Sequence, residues 1–184
     1  MGISGTKVHR GFYDIAINAI DKLENLLHTK KHIVITGHSL GGGVGMLVGS
    51  ILFVKGNKNV EVITFGSPAV GNDLYLHTIK GLKHTRYTHI YDIIGKLNKK
   101  VAQKIIAVLR RYIRKYNNVW LRSVYFLLSS INYDYVYDKC KTIYLKNRAT
   151  TPQKYKNLPY VLRVALTPLK YHSINTYKEG VEKL

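Results

Sequence analysis

Residues 33–45 read IVITGHSLGGGVG, and the role of Ser39 within them decides the fold. HIVIT at 32–36 is a short apolar run between a Lys pair and a Gly, the profile of a buried strand. LGGGVGMLVGSILFV at 40–54 is long and apolar enough for a buried helix despite its glycines, and Gly56 and Asn57 stop it. A strand that ends in Gly-x-Ser-x-Gly and opens into a helix predicts a nucleophile elbow. At such an elbow the serine sits at a strained apex with its hydroxyl above the sheet. The N–H of Leu40 then points the same way from a helix N-terminus, suited to stabilising an oxyanion. Gly37 and Gly41 are both expected to be glycine because a Cβ there would meet the adjoining strand and helix. The plainer alternative is a glycine-rich turn with a serine helix cap. The strand before the serine and the helix after it favour the elbow.

Working outward, residues 10–28 carry Phe12, Ile15, Ala19, Leu23 and Leu26/Leu27 at helical spacing. VEVITF at 60–65 reads as a second buried strand, closed by Gly66, Ser67 and Pro68, and RYTHIY at 86–91 as a third. Strands alternating with helical segments imply βαβ units and a parallel sheet, an α/β class. Residues 99–116 place Val101, Ile105, Leu109, Tyr112/Ile113 and Tyr116 on one helical stripe. The opposite face carries Lys99, Lys100, Lys104, Arg110, Arg111, Arg114 and Lys115. Residues 119–131 are mostly apolar, and 133–145 read as a hairpin or last strand, with KTIYL the best candidate. Residues 147–170 read as a Pro-punctuated loop. No internal repeat is present. The expected organisation is one domain over 1–184, with 98–170 a helical insertion or cap-like segment.

The chain has 184 residues, 46% of them hydrophobic, which is enough for one domain with a real core. Cys140 is the single cysteine, so no internal disulfide framework exists. MGISGTKVHRG at the start contains no apolar run, and no window of eighteen apolar residues occurs. No signal peptide or membrane-spanning helix is therefore expected, and a cytoplasmic or peripheral-membrane location is favoured. The net charge is +19, which favours an anionic partner. The abundance of Lys, Asn, Ile and Tyr, residues with AT-rich codons, offers a compositional source for part of that charge. No RNA- or DNA-reading motif is present, so nucleic acid is set aside. The interfacial reading of 99–131 is docking on an anionic membrane, with the segment also closing over the Ser39 site as a lid. The plainer alternative is an amphipathic helix packed on the core with a solvated basic face.

Chain order tests the elbow. Where a serine of this kind works with an acid and a histidine, both follow it in that order. His172 is the only histidine beyond residue 92. Asp92 follows the third strand at the carboxyl edge of the sheet, where such an acid belongs. Asp134 and Asp138 lie in an alternating Tyr/Asp stretch and are expected to be solvated. His38 adjoins Ser39, must point away from it, and is read as structural.

These residues resemble the class 3 lipases, the fungal triacylglycerol lipase-like family of α/β-hydrolases. The resemblance rests on VHRGFY (8–13), ITGHSLGGG (35–43), ITFGSPAVGN (63–72), THIYDIIGKL (88–97) and YHSINTYKEGV (171–181). It implies an α/β-hydrolase-type, mostly parallel sheet flanked by helices. The N-terminal strands of the family would be missing, and a helical insertion would separate acid from histidine. It also implies hydrolysis of lipid esters, acylglycerol or phospholipid, through an acyl-enzyme on Ser39. His172 would be base and then acid, Asp92 its anchor, and the backbone of Leu40 an oxyanion donor; no metal or organic cofactor is called for. Two departures stand out. Family members have a longer region before His-x-Gly-Phe, which supplies the second oxyanion donor; here Thr6 is the sole candidate. The segment between Asp92 and His172, with its basic helix, has no counterpart in the resemblance. The alternative is a catalytically weak or dead, basic membrane-binding remnant.

Overall fold

The elements in chain order are α1 (Arg10–His28), β1 (Ile33–His38), α2 (Leu40–Val54), β2 (Val60–Phe65), α3 (Asp73–Thr78), β3 (Lys83–His89), α4 (Lys99–Tyr116), β4 (Lys141–Leu145) and α5 (Ile174–Val181). The computed structural model describes residues 4–28, 32–92, 94, 99–116, 119, 122, 125, 126, 129, 135–137, 139–146 and 171–184, with the backbone alone at 24–28, 99–105, 108 and 116. The loop expected at 147–170, and Asp134 and Asp138, lie outside the described residues.

The apolar runs pair as one sheet in the order β1-β2-β3-β4, with every pair parallel. Parallel neighbours need a crossover between them, which α2 supplies from β1 to β2 and α3 from β2 to β3. The register aligns His38 with Phe65, Phe65 with Tyr87, and His89 with Leu145. All four carboxyl ends therefore meet along one edge, the edge where sheets of this kind hold their ligands. The architecture is α/β, a parallel sheet flanked by helices.

Tight packing on the sheet explains the glycines of α2. A Cβ on Gly49 would lie 2.3 Å from Val62 of β2, and one on Gly43 would lie 2.8 Å from the Phe12 ring of α1. Phe12, Ala16 and Ile20 are the buried face of α1. This differs from the stripe expected from sequence, since Ile15 is 48% and Leu23 44% exposed. Both stripes contain Phe12 at helical spacing. The one that faces inward is the one whose small Ala16 lets α1 approach the glycines of α2. Burial of a phenylalanine such as Phe12 contributes about 2–3 kcal/mol. His9 starts the helix: its ring stacks on Phe12 at 3.9 Å, and its Nδ1 accepts the Phe12 N–H at 3.2 Å.

Strand β3 begins and ends earlier than RYTHIY suggests. Its pairing starts with Lys83 opposite Glu61, and the chain turns after His89 as the Asp92 N–H donates to the His89 carbonyl at 2.9 Å. KTIYL forms β4, the last strand among the described residues, as its composition suggests. Helix α3 carries no sequence signature of its own. It is too short for periodicity and is set by Asn72, whose Oδ1 accepts the N–H groups of Tyr75 and Lys7.

Helix α4 turns the described apolar residues inward. Leu109 is fully buried, and Ile106, Tyr112 and Ile113 pack against the core. Arg110, Arg111, Arg114 and Lys115 are exposed on the other side. The side chains of Val101, Ile105, Tyr116, Lys99, Lys100 and Lys104 lie outside the described residues. Leu109, Ile106, Tyr112 and Ile113 are therefore committed to the core.

Candidate active site

Ser39 sits between β1 and α2 at φ 57°, ψ −124°, and among the described residues it is the one non-glycine with positive φ. Holding a side chain in that region costs on the order of 1–3 kcal/mol, which surrounding structure must offset. Its hydroxyl makes no cap hydrogen bond to α2, so the plain helix-cap reading fails. Instead the carbonyl of Ser39 accepts the N–H groups of Gly42 and Gly43, which frees the hydroxyl. Leu40 is the first residue of α2. An N–H at that position has no acceptor within its own helix and carries the positive end of the helix dipole.

The two glycines of the motif are not equivalent. A Cβ on Gly37 would lie 2.3 Å from the Gly41 carbonyl oxygen, a backbone atom that cannot step aside. One on Gly41 would meet nothing within 4 Å, against expectation. The closeness is one-sided because the helix backbone, not its side chains, crosses the end of β1. Gly37→Ala should therefore destabilise the fold by about 3–5 kcal/mol. Gly41→Ala should be neutral or stabilise by up to about 1 kcal/mol through helix propensity. Urea denaturation of both variants measures this, and equal losses would remove the asymmetry.

His172 lies just ahead of α5 and reaches both other residues named from sequence. Its Nε2 is 2.6 Å from Ser39 Oγ, and its Nδ1 is 2.7 Å from Asp92 Oδ2. The residues are 133 and 80 positions away from it in the chain. Asp92 is buried, its side chain only 1% exposed, while that of His172 is 12% exposed. Oδ1 of Asp92 accepts the Ile94 N–H at 2.9 Å. Oδ2 also accepts the hydroxyl of Tyr177 at 2.6 Å, and that hydroxyl in turn accepts the His89 N–H at 3.1 Å. Burial alone pushes the Asp92 carboxyl up. The His172 charge, then the hydrogen bonds from His172, Tyr177 and Ile94, outweigh it and hold the group below its ordinary value.

Three supporting residues carry no role in the sequence reading. Tyr177 is fully buried, and burial, followed by the Asp92 charge, pushes its hydroxyl far above the usual phenol range. It therefore stays a donor to Asp92. Gly66 has φ 57°, and a Cβ there would fall 2.9 Å from Asp92 Oδ2 and 3.0 Å from His172 Nδ1. Only a glycine lets β2 end this close to the pair. Tyr171 stacks on His89 at 4.7 Å, tying the histidine segment to the end of β3. The signal for Tyr177 lay in YHSINTY, five residues after the histidine, but nothing in the spacing assigned it a partner.

His38 faces away from the hydroxyl, as expected. Its Nε2–H donates to the His172 carbonyl at 2.8 Å, and the two rings lie 5.0 Å apart. Burial, followed by the neighbouring His172 charge, lowers its pKa to about 4. It is thus a neutral strut under His172. Thr6 lies one residue before the Lys7–His9 segment, whose backbone pairs with Val70 and Asn72. Among the described residues no three His, Cys, Asp or Glu side chains cluster as a metal ion would require.

The sequence profile described as Lipase (class 3) matches residues 2–102, which include Ser39 and Asp92. The lipase of Rhizopus niveus is 31% identical over 104 residues, covering 50% of this chain and 26% of that protein. The secreted mono- and diacylglycerol lipase 1 of Fusarium solani is 33% identical over 104 residues, covering 52% and 31% respectively. The crystal structure of a lipase from Rhizopus microsporus var. chinensis aligns with TM-score 0.48 and 26% identity, over 53% of this chain and 38% of that one. The chain spans about a quarter of the length of the first curated relatives it matches. With the profile matched over more than half of its residues, this chain belongs to the class 3 lipase family.

Proposed function

We propose that the chain is a serine hydrolase that cleaves carboxylic esters of lipids, acylglycerol or phospholipid, through an acyl-enzyme on Ser39. The observation that carries this reading is the continuous line from Ser39 Oγ through the His172 ring to Asp92 Oδ2, with both contacts below 2.8 Å. Neutral His172 accepts the hydroxyl proton at Nε2 as Oγ attacks the acyl carbonyl. Asp92, ionised and buried, holds Nδ1–H toward itself and stabilises the imidazolium that forms. The carbonyl oxygen becomes an oxyanion that the Leu40 N–H meets at the start of α2. His172 returns the proton to the leaving alcohol. A water molecule then repeats the sequence on the acyl-enzyme and releases the fatty acid.

The membership of the family and the names of its lipase relatives support a lipid ester as substrate. A fluorophosphonate probe tests the nucleophile without needing the natural substrate. The expected result is one adduct, on the peptide containing Ser39, lost in His172→Ala. Labelling elsewhere, or none in folded protein, would count against the mechanism and favour the inactive remnant.

A further inference from the structure

We infer that the basic face of α4, together with the exposed Val119 and Phe126 that follow it, docks the protein on bilayers rich in anionic lipid. Residues 93–133 contain nine Lys or Arg and no Asp or Glu, so no carboxylate within the segment neutralises it. Leu109, Ile106, Tyr112 and Ile113 turn α4 so that Arg110, Arg111, Arg114 and Lys115 face outward. The Arg110 Nε–H donates to the Tyr125 hydroxyl at 3.0 Å, which ties Tyr125 to α4. Around Tyr125, the helical residues Val119 and Phe126 are 76% and 59% exposed, and Arg122 is exposed between them. Their spacing of three and four residues puts them on one outward face.

The described apolar residues of α4, Ile106, Leu109, Tyr112 and Ile113, are spent on the core, so the apolar contact with lipid falls to Val119 and Phe126. A phenylalanine and a valine among cations match the boundary between headgroups and acyl chains. The cations meet phosphate and carboxylate headgroups, each near an anionic surface strengthening binding about fivefold, within a Debye length of roughly 10 Å. Against a nucleic-acid backbone the same apolar side chains would face water and gain nothing. No helix among the described residues is long and apolar enough to cross a membrane, so the contact is peripheral. This docking does not depend on Ser39 being a nucleophile.

Co-sedimentation with phosphatidylserine–phosphatidylcholine vesicles, against phosphatidylcholine alone, tests it. The parent should bind the anionic vesicles at least about tenfold more tightly, with affinity falling steeply as salt rises. Arg111→Gln, Arg114→Gln and Lys115→Gln combined should lose on the order of a hundredfold. Arg110 is left in place because it holds Tyr125. A charge-preserving variant, Arg111→Lys with Arg114→Lys, should bind as the parent does, which separates lost charge from lost fold. Val119→Ser with Phe126→Ser should weaken binding about tenfold while keeping its salt dependence. The inference is overturned if the triple variant, folded by circular dichroism, binds as the parent does. Equal binding to neutral vesicles, or tighter binding to RNA or duplex DNA in the same buffer, overturns it too.

Discussion

Ser39→Ala is expected to abolish turnover of short- and medium-chain p-nitrophenyl esters, lowering kcat by about 10³–10⁶-fold. Alanine keeps the Cβ and so carries the same backbone cost at φ 57° as serine does. The variant should therefore fold as the parent does, and the loss should reside in the missing hydroxyl. His172→Ala should match it, because Nε2, 2.6 Å from the hydroxyl, is the base that takes its proton in this mechanism. The double variant should cost no more than either single one, since groups that act as a unit do not add. Parental turnover by Ser39→Ala would remove this serine from the mechanism. A folded parent with no turnover at all would instead favour the inactive, membrane-binding remnant, with the vesicle experiment still able to succeed.

Asp92→Asn should lower kcat by about 10⁴-fold, the scale seen when an imidazole loses its tautomer anchor. The hydrogen bonds explain why the change is severe. Oδ2 receives donors from both His172 and Tyr177, and Oδ1 receives the Ile94 N–H. An amide has one acceptor oxygen, so either orientation turns its NH₂ toward a donor. Asp73→Asn, on an exposed residue of α3, should leave most of the activity. Equal losses in the two variants, measured by steady-state kinetics, would overturn the assignment. Stability carries the same signature. Because the folded carboxyl is held below its ordinary value, its contribution is present above the unfolded pKa and is lost as pH falls through the folded one. The gap in urea stability between parent and Asp92→Asn should thus narrow in acid.

Much of this molecule is legible in its sequence because local rules act over short spans. A β-branched run, a serine between spaced glycines and a small-residue helix specify the elbow without reference to anything distant. Alternation of apolar runs with helical segments specifies a parallel sheet; chain order leaves His172 as the candidate histidine, and its place after the third strand makes Asp92 the candidate acid. What sequence cannot supply is the phase of a helix and the company of a side chain. Two stripes compete on α1, and only contact with the glycines of α2 selects Phe12, Ala16 and Ile20 over Ile15 and Leu23. The same holds for α4, where an apolar stripe suits lipid as well as core until Leu109 is seen to be buried. Gly37 and Gly41 look alike in the motif, yet only the first meets a neighbour.

The site follows this division. Ser39 and Leu40 come from a local turn and could be named from thirteen residues. The bonds from His172 to Asp92 and Ser39, the Tyr177 hydroxyl on Asp92, the glycine at 66 that makes room for them, and the His38 strut join segments remote in the chain. Hydrogen bonds depend on distances of a few tenths of an ångström, and separations of 80 or more residues leave those distances to the packing of the whole sheet.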